Sequence, residues 1–85
     1  MKIIYSSKFI KEYKKLPGEI KLLAEEKEKI FKENPFNPKM KSHKLKGKLR
    51  ALYSFSITYH IRIVFHFETK NVVGFDTIGT HAVYR

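Results

Sequence analysis

The sequence predicts an α+β domain in which an N-terminal helical hairpin packs on one face of a small antiparallel β-sheet. Three observations lead there. Apolar residues recur at helical spacing as far as Phe31, the period changes to two beyond Pro38, and 85 residues leave room for one core only. A single domain over residues 1–85 is therefore expected. With 42% hydrophobic residues, seven Phe and five Tyr, the chain has the means to order itself, since disordered chains are poor in such side chains.

Lys2 to Tyr5 is a short β-leaning run, and Ser6-Ser7 supplies a helix N-cap ahead of Phe9, Ile10, Tyr13 and Leu16, which form one apolar stripe. Pro17-Gly18 breaks the chain. A second helix is expected from Glu19 to about Asn34, with Ile20, Leu23, Ala24, Ile30 and Phe31 inward and the charges of Glu25–Lys29 outward. Asn34-Pro35 and Asn37-Pro38 end it, because a residue before proline is driven out of the helical region. Two helices joined by a tight turn make an αα-hairpin.

In Arg50–Ile57, Ala51, Tyr53, Phe55 and Ile57 fall on one face and Arg50, Leu52, Ser54 and Ser56 on the other. In His60–Phe67, Ile61, Ile63, Phe65 and Phe67 oppose His60, Arg62, Val64 and His66. Thr58-Tyr59 makes the short connection and Thr69-Lys70-Asn71 the next turn. Val72–Ile78 is the last strand, its facing left open by the adjacent Val72 and Val73. The helices are expected to cover the apolar face and to leave the other face wet.

Charge is unevenly spread. Residues 1–33 hold nine Lys and six Glu, whereas residues 34–85 hold nine Lys or Arg against Glu68 and Asp76 alone. Lys44, Lys46, Lys48 and Arg50 recur at every second residue, which predicts a basic comb along one side of an extended segment. Such a surface calls for a polyanion, with RNA the leading candidate and an acidic protein a compatible second. The clustering lies outside the helices and so does not describe a basic amphipathic membrane helix. With no Cys, no apolar signal segment and no membrane-length apolar window, the expected location is the cytoplasm and no membrane partner is expected.

The wet face and its rim gather the unusual chemistry: His43, His60, Arg62, His66, the Gly79-Thr80-His81 ending, and Tyr84. Cleaving RNA without a metal requires removing the 2′-OH proton, stabilising a phosphorane and protonating the departing 5′-oxygen, for which imidazole, guanidinium, ammonium and phenol groups are suitable. His60 and His66, six residues apart on one strand, would lie roughly 20 Å apart, so at most one can serve a given phosphate. Arg62 between apolar neighbours calls for an anion or water. Each histidine also has an ordinary reading as a turn or strand residue in water. No metal-ligand spacing, phosphate loop or nucleophile motif is present, Asp76 is the sole Asp, and no cofactor is expected.

The ordered set Asn34-Pro35-Phe36-Asn37-Pro38, His43-Lys44-Leu45-Lys46-Gly47, Tyr53-Ser54-Phe55-Ser56-Ile57, Ile61-Arg62-Ile63-Val64-Phe65 and Ile78-Gly79-Thr80-His81 resembles the RelE/ParE superfamily of type II toxins, in particular its RelE/YafQ-like mRNA interferase branch. The resemblance spans the chain. It implies a RelE-like fold, entry into the ribosomal 30S A site, metal-independent mRNA cleavage to a 2′,3′-cyclic phosphate and a 5′-hydroxyl, and neutralisation by an acidic antitoxin. The toxin alone would be a monomer and its antitoxin complex a larger assembly.

By the same resemblance, Arg62 matches the arginine that contacts the scissile phosphate. His81 matches the basic position after the last strand, His43 the histidine of YafQ-like members, and Tyr84 the C-terminal aromatic. Lys44, Lys46, Lys48 and Arg50, with Ser54 and Ser56, would hold RNA. The serines stand where many relatives have lysines, and His60 is the candidate to replace a missing imidazole. The alternative is a ParE-like toxin that inhibits DNA gyrase without cleaving RNA; a third reading is a non-toxic basic binding module.

Overall fold

The computed structural model describes residues 1–47 and 51–80. In chain order the elements are β1 (Lys2–Tyr5), α1 (Ser7–Lys14), α2 (Gly18–Glu33), a 3-10 turn (Pro38–Met40), β2 (His43–Lys44), β3 (Tyr53–Ser56), β4 (Arg62–Thr69) and β5 (Val72–Gly79). The strands form one five-stranded sheet in the order β1-β5-β4-β3-β2. β3, β4 and β5 make an antiparallel meander, β2 adds antiparallel to β3, and β1 lies parallel to β5. This is the expected α+β layer pair, with β1 as its parallel element.

Local chemistry sets the boundaries. Ser6 caps α1, its hydroxyl accepting from the Phe9 amide at 2.9 Å and donating to the Asp76 carbonyl at 2.7 Å, so one side chain starts a helix and ties it to β5. Pro17 precedes α2 and its carbonyl receives the amides of Ile20 and Lys21. After α2, Asn34 and Asn37 each accept from the amide two residues on, at 3.0 and 2.9 Å, turning the chain without further helix.

Phe31 is the hub of the core. Fully buried on α2, its ring lies 4.9–5.3 Å from those of Phe55, Phe65 and Phe75 on three adjacent strands. Ile57 and Ile63, as the period-two pattern predicts, together with Val73 and Ile78 complete the apolar face of the sheet. The register slips between Val64, opposite Thr77, and Phe65, opposite Phe75, which leaves Asp76 as the extra residue of a β-bulge. That slip decides the open question of facing: Phe75 and Ile78, three apart, both reach the core.

Four expectations need correction. Leu23 and Ile10 are exposed, because α2 meets the sheet along a narrow strip through Ile20, Ala24 and Phe31 and Leu23 sits about 100° away from Ala24. The third strand begins at Tyr53, so Ala51 precedes it and is exposed, and β4 begins at Arg62, so His60 belongs to the hairpin. The second face is not uniformly wet, since Ser54, Val64 and Thr77 form a buried row across β3, β4 and β5. Short side chains at the centre of the sheet sit below the longer Arg62 and His66 on either side along β4. Finally, the first half of the basic comb, the part within the described residues, is not one extended segment: β2 ends at Lys44 and the chain turns at Lys46-Gly47, where Gly47 takes φ 73°.

Candidate active site and nucleic-acid face

Arg62 opens β4 on the face turned away from the helices, opposite Ser56 on β3 and Gly79 on β5. Its Nη1 donates to the Ser56 hydroxyl at 2.8 Å. Ser56 thus braces the guanidinium, a different task from the direct RNA contact expected of it. Gly79 places no side chain beside the arginine, and the chain leaves β5 there toward His81. His81 and Tyr84 lie outside the described residues, as do Lys48 and Arg50.

His43 faces the same side, opposite Ser54 in the β2–β3 ladder. Its Nδ1 lies 3.2 Å from the Lys41 carbonyl, which can only accept, so Nδ1 carries the proton and Nε2 is left as the lone-pair nitrogen in the neutral ring. Lys41 reaches that position through a left-handed backbone, φ 53° and ψ 40°. Two strand spacings across and two residues along separate His43 from Arg62, roughly 12 Å between Cα atoms, a gap that a long arginine side chain narrows. The pair can flank one phosphodiester.

The remaining expected residues are more dispersed. Ser54 is fully buried, and its Oγ has no hydrogen-bond partner among the described residues, so it is not an accessible RNA contact. Lys44 pairs with Tyr53 and therefore points to the helix side of the edge strand, opposite to His43. Lys46 is exposed in the turn. His60 is exposed at the tip of the β3–β4 hairpin, where its ring stands edge-on to Tyr59.

Sequence reasoning missed two constellations. On β4, His66 sits between carboxylates: Nδ1 lies 2.7 Å from Asp76 Oδ2, and Nε2 meets Glu68 Oε1. Its ring lies over Gly74, where a Cβ would come within 2.8 Å of Nε2. Glu68 and Asp76 are the only carboxylates beyond Glu33, and both are drawn to one imidazole, which removes negative charge from the rest of the face. The signal in the sequence was that pair of acids, but only the register opposing His66 to Gly74 reveals their use. Among the described residues, no group of three or more His, Asp or Glu is arranged to hold a metal ion.

The second is Glu12. β1 stops pairing with β5 at Phe75, and beyond it Glu12 Oε1 takes over, accepting from the Thr77 hydroxyl at 2.5 Å and the Ile78 amide at 3.2 Å. A helix carboxylate thus closes the strand edge that leads to Gly79. On the helical side, a groove of about 460 Å³ runs between α1 and α2 over Phe9, Tyr13 and Ala24, but no imidazole or guanidinium lines it.

No protein-family model matches the sequence, and no curated protein matches it. Solved structures do. The YoeB/ParE toxin from Agrobacterium tumefaciens superposes with a TM-score of 0.80 at 19% identity, covering 95% of this chain and 99% of that one. YafQ from E. coli gives 0.78 at 20% identity, over 96% and 94%. The archaeal RelE of the RelE–RelB complex from Pyrococcus horikoshii gives 0.76 at 16% identity, over 96% of both chains. With TM-scores of 0.76–0.80 over nearly the whole of each chain, bacterial and archaeal examples alike, this chain has the fold of these YoeB/ParE, YafQ and RelE toxins.

Proposed function

We propose that the protein is the toxin of a type II toxin–antitoxin pair and acts as a ribosome-dependent mRNA endoribonuclease, cutting without a metal ion. The observation that carries this reading is Arg62, held by Ser56 on the sheet face opposite the helices, with a proton-accepting His43 Nε2 on the same face. A single face offering a braced guanidinium and an imidazole is suited to in-line attack by a 2′-hydroxyl. His43 Nε2 takes the 2′-OH proton, Arg62 stabilises the two equatorial charges of the phosphorane, and His81 protonates the departing 5′-oxygen. Tyr84 is assigned to the same site, and His60, displaced to the hairpin tip, is not assigned a proton. Exposed Lys46, with Lys48 and Arg50, supplies phosphate contacts that position RNA without reading it, while Lys44, turned to the helix side of the edge strand, serves phosphates away from the cleavage site.

The fold neighbours that include a RelE–RelB complex support an antitoxin as partner. A net charge of +10 favours an acidic one, disordered until it binds. The test is induction in cells followed by primer extension on mRNA. Codon-phased cuts with 2′,3′-cyclic phosphate ends are expected, and Arg62→Ala should lower cleavage at least about 100-fold, as for loss of one oxyanion donor, with the fold retained. Growth arrest without cuts, accompanied by gyrase inhibition, would establish the ParE-like alternative.

A further inference from the structure

Among the described residues, Tyr59 is the most exposed of the large hydrophobic side chains, at 82%. It is not at the end of a slack loop. The Thr58 hydroxyl accepts the amides of His60 at 3.2 Å and Ile61 at 3.0 Å, and the Ile61 carbonyl receives the amides of Ile57 at 2.8 Å and Thr58 at 3.2 Å. Four hydrogen bonds within five residues hold the tip in one shape. Against this frame the His60 ring stands perpendicular to Tyr59, at 87° with centroids 5.0 Å apart, so that two aromatic rings meet as a floor and a wall.

The corner is adjacent to the site. Ser56 and Arg62 form the first rung of the ladder directly below the tip, so the phosphate-directed guanidinium and the ring corner are successive features of one hairpin. The chain has no carboxylate from Asn34 to Phe67 and seven Lys or Arg in that span, so a ligand reaching the tip is selected for negative charge. A ligand that joins phosphates to flat apolar rings is single-stranded nucleic acid, whose bases stack on exposed aromatics.

We propose that Tyr59 and His60 form a base-stacking corner that seats an unpaired nucleobase of the RNA next to the phosphate held by Arg62. Tyr59 supplies the stacking plane and His60 flanks the base edge. This rests on the reading of the protein as an RNA-binding nuclease and adds a nucleotide subsite to it.

The test measures binding of a fluorescently labelled single-stranded RNA oligonucleotide, by anisotropy over a series of salt concentrations, to the wild type, Tyr59→Ala and Tyr59→Phe. The oligonucleotide is used intact and in a form with abasic ribose at successive positions. Tyr59→Ala should weaken binding about 5- to 100-fold, leave the salt dependence unchanged, and lose its effect on the fully abasic form. Tyr59→Phe should bind as the wild type does. Equal affinity of Tyr59→Ala and wild type for the intact RNA, or an equal loss on the abasic form, overturns the subsite while wild-type binding and cleavage leave the nuclease reading in place. Absence of RNA binding by the wild type overturns both.

Discussion

Gly74 and His66 illustrate how one residue's absence of a side chain fixes another's position. The imidazole occupies the space a Cβ would need and is held at both nitrogens by Asp76 and Glu68. Gly74→Ala must push the ring off its carboxylates, a local overpacking worth about 1–3 kcal/mol. In a His66→Ala background the same change should cost far less, since the methyl then enters vacated space. A double-mutant cycle by urea denaturation measures the coupling, and additive effects would show that the ring is not confined. None of this is legible in the string of letters: a histidine and a glycine eight residues apart become neighbours only through the hairpin register.

At the scale of elements, the decisive event is the end of β1. Tyr5 is its last residue, and the chain leaves the sheet to form α1 while β5 continues to Gly79. An uncovered amide at Ile78 would face the void left by the missing strand, and Glu12 fills that role from α1. Glu12→Ala should cost about 1–3 kcal/mol through the orphaned amide and hydroxyl. Glu12→Gln retains an acceptor oxygen and should lose less. Denaturation midpoints and amide exchange at Ile78 check this; a Gln variant as unstable as Ala would show that the negative charge, and not the acceptor, is what matters.

The strand alternation itself was readable, with Phe55, Ile63 and Phe65 where period two put them. The turn at Lys46-Gly47 was not, because a regular run of lysines reads as a strand unless the left-handed glycine is given its weight.

For the whole molecule, the helical layer is joined to itself and to β1 by two phenols. The Tyr5 hydroxyl donates to Glu28, and the Tyr13 hydroxyl is 3.5 Å from Glu25 and 3.4 Å from the Lys21 carbonyl. Burial, and then the adjacent carboxylates, raise both phenols above the ordinary tyrosine range. Above about pH 10 an unfolded chain releases these protons while the folded one retains them, so folding stability should fall as pH rises. Urea midpoints between pH 8 and 11 should show this decline, shallower in Tyr5→Phe even though that variant loses the bond to Glu28. An unchanged slope would place the alkaline sensitivity elsewhere.

The sequence by itself determined the two layers, the break at Pro17-Gly18, the apolar face and the excess of positive charge in the second half. These follow from local propensity and from periodicities of 3.6 and 2, which each short stretch expresses alone. Tertiary structure decided which polar residues meet. It paired Arg62 with Ser56, buried Ser54, turned Lys44 away from His43, moved His60 to the hairpin tip, and closed the edge of β5 with Glu12. Such meetings depend on strand register, a bulge and the point where one strand ends, and these are settled by contacts between residues up to 70 positions apart, beyond the reach of any local pattern.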